Sequence, residues 1–534
     1  MKQLLLGNEN TNIEHFMPSQ PEIDHQVEIF LRSQKTLNTQ QIRAVRSAFN
    51  FGTTFRSFMG LIEAPPGTGK TQISAVIAKF CFKHNKPLLI VCGYNYGLDV
   101  IANRIREVLN INDPTGIGFY RLDTDFGETP EVEGDEGTDA TRPNPRSCPG
   151  FQEAEKELRK RGISDHLYTA LTSAINAMTA PGRGSSLGRQ ILSRINEAVS
   201  SGRLRQAKLD KESQLMLEFL TFQELLRREG MTSFEPADYG NALAEKVHGR
   251  EREGDEDDRQ CLHQMIVQNY QKWWLALQEF YLSRAKVVLC TASTTGRKSL
   301  RTFKPEIVLI EEASQIIETT CLIAIMRNYS KLQKVLLSGD RQQLPPTVIS
   351  AGKNECFPSH RMSLFERMLQ TGVPTVQLST QYRMAQNICD FVSTEYYHGR
   401  LETHPSCVDR LKALQFAKFM TETFVQIERG TSYFVSVNNS TLWKQKNGTS
   451  VFNPDYIQFI GQLVEKLMLK NFLQQDILIL SFYSEERNLL DKLIRLNLGY
   501  RKIRISSVDA AQGSESPFHR VNHSAREAVG NGVH

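Results

Sequence analysis

The sequence predicts an α/β protein, with parallel sheets flanked by helices and a mainly helical insertion in the first domain. Three observations lead there. Residues 30–109 alternate strand and helix patterns around a glycine-rich loop. Apolar strand-like runs return after residue 286. Between them, over 151–285, apolar residues recur every three or four positions.

Taken in order, residues 1–30 form an N-terminal segment and 31–110 the first part of domain one. Gln40 to Phe49 reads as a helix, Leu61 to Gly69 as a strand with its glycine loop, Thr71 to Phe82 as a helix, and Pro87 to Cys92 as a strand. That order signals parallel strands joined by a crossover helix. The pattern stops near Asp113, where an insertion covering 111–285 begins. Residues 122–150 crowd Asp123, Asp125, Glu128, Glu131, Glu133, Asp135, Glu136 and Asp139 among glycines and prolines, and read as a solvated loop. Ile163, Leu167, Leu171 and Ile175 then mark one helix face, and Leu262, Ile266, Tyr270, Trp274 and Leu277 another. Neighbouring helix positions point about 100° apart. Trp273 and Trp274 are therefore expected as one core and one rim residue rather than as a base-stacking platform. The acidic run Asp255 to Asp258 is expected to be a loop. Strand-like runs follow at Val287–Cys290, Ile307–Ile310, Val335–Leu337, Val376–Leu378, Ser432–Val437, Ile477–Leu480 and Ile503–Ser506. Domain one thus resumes over 286–372, a second α/β domain covers 373–515, and 516–534 is an atypical tail.

A chain of 534 residues suits about three to five domains. Apolar residues at 40% and charged residues at 23% exclude wholesale disorder. No run approaches the ~20 apolar residues of a membrane span, and the three leucines of MKQLLLGNEN are too few for a signal-peptide core. Nine scattered cysteines without a CxxC argue for reduced thiols in a nuclear or cytoplasmic protein, and against a disulfide framework or a zinc module. A net charge of +5 is too small to reveal a nucleic-acid partner, because local patches matter more than the sum.

The chemistry concentrates at three places. Ala64-Pro65-Pro66-Gly67-Thr68-Gly69-Lys70-Thr71 follows an apolar run and opens a helix, the setting of a P-loop. Pro66, Gly67, Thr68 and Gly69 shape a cradle of backbone N–H groups for phosphate, aided by the helix N-terminus. Lys70 can reach the β- and γ-phosphates of ATP, and the Thr71 hydroxyl can ligate Mg2+. Val308-Leu309-Ile310-Glu311-Glu312 is an apolar strand ending in two carboxylates. Glu311 is expected in the magnesium shell, and Glu312 as the group that orients and deprotonates the attacking water. Gly339-Asp340-Arg341-Gln342-Gln343 follows another apolar run, and Gln343 is the candidate γ-phosphate sensor.

In this order the segments resemble superfamily 1 helicases, in the branch that contains the nonsense-mediated-decay RNA helicase, senataxin and Aquarius. Leu37-Asn38-Thr39-Gln40-Gln41 is similar to the LNxxQ motif, and APPGTGKT to GPPGTGKT. CGYNYGLD (92–99) resembles motif Ia, EEASQ (311–315) the DExxQ box, and GDRQQLPP (339–346) motif III. QYRM (381–384) matches its namesake, and VDAAQGSE (508–515) resembles motif V. The resemblance implies two RecA-like P-loop NTPase domains that close on ATP and Mg2+. It places Gln41 on the adenine edge, Tyr382 stacked on adenine, Arg383 on the γ-phosphate and Glu515 among the nucleotide contacts. Asn95, Thr291 and Ser507 are the residues expected against nucleic acid. It further implies a monomer without membrane attachment that couples ATP hydrolysis to movement along single-stranded RNA or DNA, in the 5′ to 3′ direction.

Four positions depart from the family pattern. Glu311 stands where Asp is usual, Tyr456 where Glu is common after Ser450-Val451-Phe452-Asn453, and Glu486 where a Gln is usual. The fourth lies in the final 19 residues, SPFHRVNHSAREAVGNGVH, which hold a compressed motif VI. Its first arginine and the strand before it are expected to be missing, and Arg526 matches only the later basic position. Loss of such an arginine finger would cost about 10³–10⁵ in turnover. On this pattern the chain reads as a shortened or misassembled version of an active helicase. The alternative to a helicase is an ATP-binding, hydrolysis-deficient scaffold for RNA or DNA.

Overall fold

The computed structural model describes residues 21–49, 58–110, 118–122, 150–177, 186–228, 255–348, 355–407, 411–424, 430, 432–438, 440–445, 450–508, 511 and 518–522. The chain divides into two compact units, Met1–Ser379 and Thr380–His534. The acidic stretch 123–149, Glu515 and Arg526 lie outside the described residues.

The first unit opens with helices α1 (Pro21–Arg32) and α2 (Thr39–Ala48). Asn38 caps α2 by accepting from Gln41 N, while the Gln41 side chain accepts from Asn38 N. The LNxxQ segment is thus a reciprocal capping box, which satisfies two N–H groups that the helix start leaves open. There follow β1 (Met59–Glu63), α3 (Lys70–Lys83), β2 (Leu88–Cys92), α4 (Asn95–Leu109) and β3 (Phe119–Arg121). The insertion contributes α5 (Phe151–Arg161), α6 (Asp165–Ala177), α7 (Leu187–Ser200), α8 (Lys211–Arg228) and α9 (Asp255–Leu282). The chain returns through β4 (Val287–Thr291), β5 (Ile307–Glu311), α10 (Glu318–Asn328), β6 (Lys334–Gly339), α11 (Phe357–Arg361), α12 (Leu364–Gln370) and β7 (Thr375–Gln377).

These seven strands form one sheet in the order β3-β4-β2-β5-β6-β1-β7, and every pairing is parallel. A parallel sheet must be covered on both faces, and the strand residues alternate accordingly. Leu88, Ile90 and Cys92 pack with Ala44, Ile73, Val76, Leu98 and Ile101 from α2, α3 and α4. Leu89 and Val91 point the other way, into a cluster with Leu171, Phe219, Tyr270 and Trp274 from the insertion. The insertion is therefore a layer of domain one rather than an appendage.

Three expectations change here. Asp255 to Asp258 begins α9 instead of forming a loop, because an acidic sequence is also a helix-start signal and charge alone does not mark a loop. Trp273 and Trp274 are both buried, with Trp274 5.3 Å from the Phe219 ring, so neither is a rim residue. Strand β7 pairs with β1, so the first unit extends to Ser379, past the boundary expected at residue 372.

Lys334, at the start of β6, is 4% exposed, and burial pushes its ammonium down to about 7. In the unfolded chain lysine titrates near ~10.4, so between those values the unfolded state binds more protons and stability rises with pH. Lys334→Met is expected to be more stable than its parent at pH 6. The gap should shrink above pH 7, by up to about 1.4 kcal/mol per pH unit. Denaturant unfolding of both proteins from pH 6 to 9 checks this, and a pH-independent gap would count against it.

The second unit holds β8 (Thr380–Gln381), α13 (Gln386–Tyr397), β9 (Glu402–Thr403), α14 (Leu411–Thr423), β10 (Trp443–Lys444), β11 (Val451–Phe452) and α15 (Pro454–Leu469). Next come β12 (Ile477–Ser481), α16 (Ser484–Asp491), β13 (Arg504–Ser507) and β14 (Phe518–Asn522). Its main sheet is parallel, in the order β13-β12-β14. β14 corrects the expectation that the strand after motif V is missing. Residues 518–522 pair with β12 along its whole length, so Val521 and Asn522 belong to a ladder rather than to a compressed motif VI. Ser432–Val437 is not a strand: Phe434 is 89% exposed, and no ladder partner meets this segment among the described residues.

Candidate nucleotide and nucleic-acid site

The phosphate loop begins where β1 ends. Gly67 and Gly69 have φ of 78° and 91°, values that favour glycine. A Cβ on Gly69 would also lie 2.6 Å from Gln41 Nε2. Thr68 is buried, and its hydroxyl donates to Pro65 O at 2.7 Å. Pro66 and Thr71 are half-buried at the two ends of the turn. Gln41 stands behind the loop: it is buried, donates from Nε2 to Thr68 O at 3.0 Å, and accepts from Asn38 N through Oε1. Both ends of its amide are thus engaged with the protein, and its visible work is to hold the loop.

At the sheet's C-terminal end, β5 delivers Glu311 and Glu312 beside Lys70. Lys70 Nζ lies 3.0 Å from Glu312 Oε1, with side chains 14% and 15% exposed. Burial disfavours the ammonium, yet Glu312, Asp340 and Glu311 together hold it above the ordinary lysine value. Glu311 is 3% exposed, and burial raises its carboxyl even though Ser74 donates to it and Lys70 stands near. Glu312 adopts φ 51° and ψ 38°. That left-handed backbone costs a non-glycine residue on the order of 1–3 kcal/mol, a strain characteristic of functional positions. Gln315 Nε2 donates to Glu312 Oε2 at 3.2 Å. Asp340 is fully buried and accepts from Gln342 N and from Gln343 Nε2 at 3.0 and 2.8 Å. Gln343 is therefore oriented at the end of β6, next to the phosphate loop through the Ala64 N to Gly339 O bond.

A magnesium ion fits this donor set. Thr71 and Glu311 offer hard oxygens, and a buried carboxylate with a raised pKa gains from a cation. Among the described residues no cluster of three or more His, Cys, Asp or Glu could cage a metal alone.

Ser74 and Gln315 were absent from the sequence-based site residues. Ser74 lies one helical turn after Lys70 on α3, so the i,i+4 spacing offered a signal. Ser74→Ala leaves one Glu311 oxygen without its donor and is expected to cost about 1–3 kcal/mol. Thermal unfolding and magnesium titration of nucleotide binding check it, with both expected to weaken.

The nucleic-acid candidates fall differently. Asn95 is exposed at the start of α4 and accepts from Arg121 Nη2 at 3.3 Å, while Asp99 pairs with Arg121 Nε at 2.7 Å. Thr291 is buried at the end of β4, its hydroxyl 2.7 Å from Thr294 Oγ1, so its side chain faces a hydroxyl cluster. Ser507 is half-buried at the end of β13.

In the second unit, Gln381 organises the QYRM turn. It is fully buried, and its Oε1 accepts from Arg383 N and Met384 N at 2.7 and 2.6 Å. Its Nε2 donates to Met384 O and Thr403 Oγ1. The turn presents Tyr382 and Arg383, both half-buried, with the Tyr382 ring 4.5 Å from His404. Glu486 is buried and accepts from Ser481 Oγ at 2.7 Å and from Asn453 N at 3.4 Å. Asn453 caps α15, and Ser450 Oγ accepts from Glu485 N. The departure at Glu486 thus takes a buried hydrogen-bonding role, while Asn453 and Ser450, which keep the family pattern, satisfy backbone N–H groups.

Two family models, both described as AAA domain, match residues 36–351 and 360–519, the first covering more than half the chain. The chain belongs to the AAA-domain family, within the superfamily 1 helicases of the nonsense-mediated-decay branch. The ATP-dependent helicase upf1 of Schizosaccharomyces pombe is 28% identical over 46% of this chain and 26% of its own length. The Regulator of nonsense transcripts 1 homolog of Neurospora crassa is 28% identical over 90% of this chain and 34% of its own. The 3'-5' exoribonuclease HELZ2 of Mus musculus is 30% identical over 44% of this chain and 8% of its own. The chain thus spans about a third or less of these relatives. The first matched stretch, 36–351, contains the glycine loop at the end of β1 and the strands β1 to β6 of the parallel sheet. No helix among the described residues is long and apolar enough to cross a membrane.

Proposed function

We propose that this helicase-family chain hydrolyses ATP in response to single-stranded RNA or DNA and uses the cycle to move along the strand, 5′ to 3′, as a monomer in the nucleus or cytoplasm. The observation that carries the reading is the Lys70–Glu312 ion pair beside buried Glu311 and the Asp340–Gln343 pair. An incoming triphosphate offers Lys70 a denser anion than Glu312 does. The ammonium, held charged by its three carboxylate neighbours, turns to the phosphates, and Glu312 Oε1 is released. That oxygen is then open to accept a proton from water, while Gln315 continues to hold Oε2. Gln343, aimed by Asp340, is assigned to the γ-phosphate. Thr71 and Glu311 would hold Mg2+, which supplies charge neutralisation at the β- and γ-phosphates. Tyr382 and Arg383 are assigned by their chemistry to adenine stacking and phosphate charge. Asn95 and Ser507 are assigned to strand contacts, which rest on backbone phosphates with little base readout.

A strand-displacement assay tests the reading. ATP should drive release of a labelled strand from a duplex with a 5′ overhang and not from one with a 3′ overhang. Release from neither, by a protein that still binds ATP, would overturn the motor reading.

A further inference from the structure

Between β2 and α4 the chain makes a two-residue turn, Gly93 and Tyr94. Gly93, Asn95 and Tyr96 are exposed, whereas Tyr94 turns inward and packs against the apolar cluster on that face of the sheet. Its phenol donates to Gln315 Oε1 at 3.5 Å, the outer limit of a hydrogen bond. The other end of the same amide donates to Glu312 Oε2, and Glu312 Oε1 meets Lys70. An unbroken chain therefore runs from the exposed turn to the phosphate-binding lysine. An amide has one donor end and one acceptor end, so a donor at Gln315 Oε1 decides which end faces Glu312.

Two glycines bring the turn against this chain. A Cβ on Gly97 would lie 3.2 Å from Tyr94 Cε2 and 2.7 Å from Cys92 Sγ, so the ring sits where only glycine leaves room. A Cβ on Gly93 would lie 3.2 Å from Ile316 Cγ1, next to Gln315. Burial, with Glu312 and Glu311 nearby, keeps the phenol protonated and hence a donor.

We infer that Tyr94 is a positioning residue for Glu312: its hydroxyl fixes the Gln315 amide, and that amide fixes the carboxylate that receives the proton of the attacking water. This rests on the proposed ATPase reading and adds to it a residue outside the phosphate-binding and carboxylate segments. Tyr94 acts through Gln315 rather than on the carboxylate itself. Contacts made on the exposed side of the 93–96 turn reach Glu312 through it.

The test compares parent, Tyr94→Phe, Gln315→Ala and the double variant in ATP hydrolysis. Tyr94→Phe keeps the ring and its packing. It is expected to lower kcat about tenfold, with KM for ATP and the unfolding midpoint unchanged, as for a small misplacement of a reacting group. On the Gln315→Ala background the same change should cost nothing further, because the two act in one chain. A kcat equal to the parent's, or fully additive losses, would overturn the inference while leaving the ATPase reading intact. A parent without turnover would sink the ATPase reading by itself. In that case, trapping of ADP with aluminium fluoride, which needs an oriented water, decides the inference: weaker trapping by Tyr94→Phe supports it, and equal trapping or none in both proteins overturns it.

Discussion

Replacing Lys70 by alanine is expected to cut ATP turnover by about 10²–10³-fold, the loss typical of removing a preorganised charge partner of the transition state. Lys70 is the cation among three acidic groups, Glu311, Glu312 and Asp340, that all act on its ammonium. Without it the site presents uncompensated carboxylates to an anionic substrate, so nucleotide affinity falls together with kcat. Isothermal titration with a non-hydrolysable ATP analogue and a phosphate-release assay should show both losses. Turnover within about twofold of the parent would mean that the phosphates are held elsewhere.

Glu312→Gln should separate binding from chemistry. The amide keeps the shape of the side chain and its reach to Gln315, but it is no longer a base. A positioned general base contributes about 10²–10⁴-fold, so kcat should drop by that order while ATP still binds. Lys70 should titrate lower in this variant, because Glu312 is the strongest of the groups that hold it up. A parent-like kcat would move the proton acceptor to another residue. The left-handed backbone at Glu312 adds a second reading: Glu312→Gly should relieve that strain while losing the Lys70 ion pair and the turnover that depends on it.

Much of this was legible in the sequence, for physical reasons. The glycine loop, the apolar strand ending in Glu311-Glu312 and the polar turn after β6 are contiguous signals, and each fell where its residues led. Strands buried on both faces read as plain apolar runs, so β2, β4, β5 and β6 were visible. What stayed hidden depends on partners distant in sequence. Ser74 lies 237 positions from Glu311, and Tyr94 lies 221 from Gln315. The Trp273–Trp274 pair looked half-exposed because helical period alone cannot tell that a second helix layer covers both faces. Strand β14 has the mixed sequence FHRVN rather than an apolar run, and its identity comes from pairing with β12 rather than from pattern. Ser432–Val437 failed the other way: its composition suits a strand, but no neighbour completes the ladder among the described residues.

The central claim is that the Lys70–Glu312–Gln315 arrangement is a strand-activated ATP-hydrolysing centre. Steady-state phosphate release by the 534-residue chain, with and without poly(U) or poly(dT) and beside the Lys70→Ala control, tests it most directly. Turnover is expected to rise with strand concentration and to disappear in the control. Bound ATP with release no faster than the control, at any strand concentration, would contradict it and leave an ATP-binding scaffold.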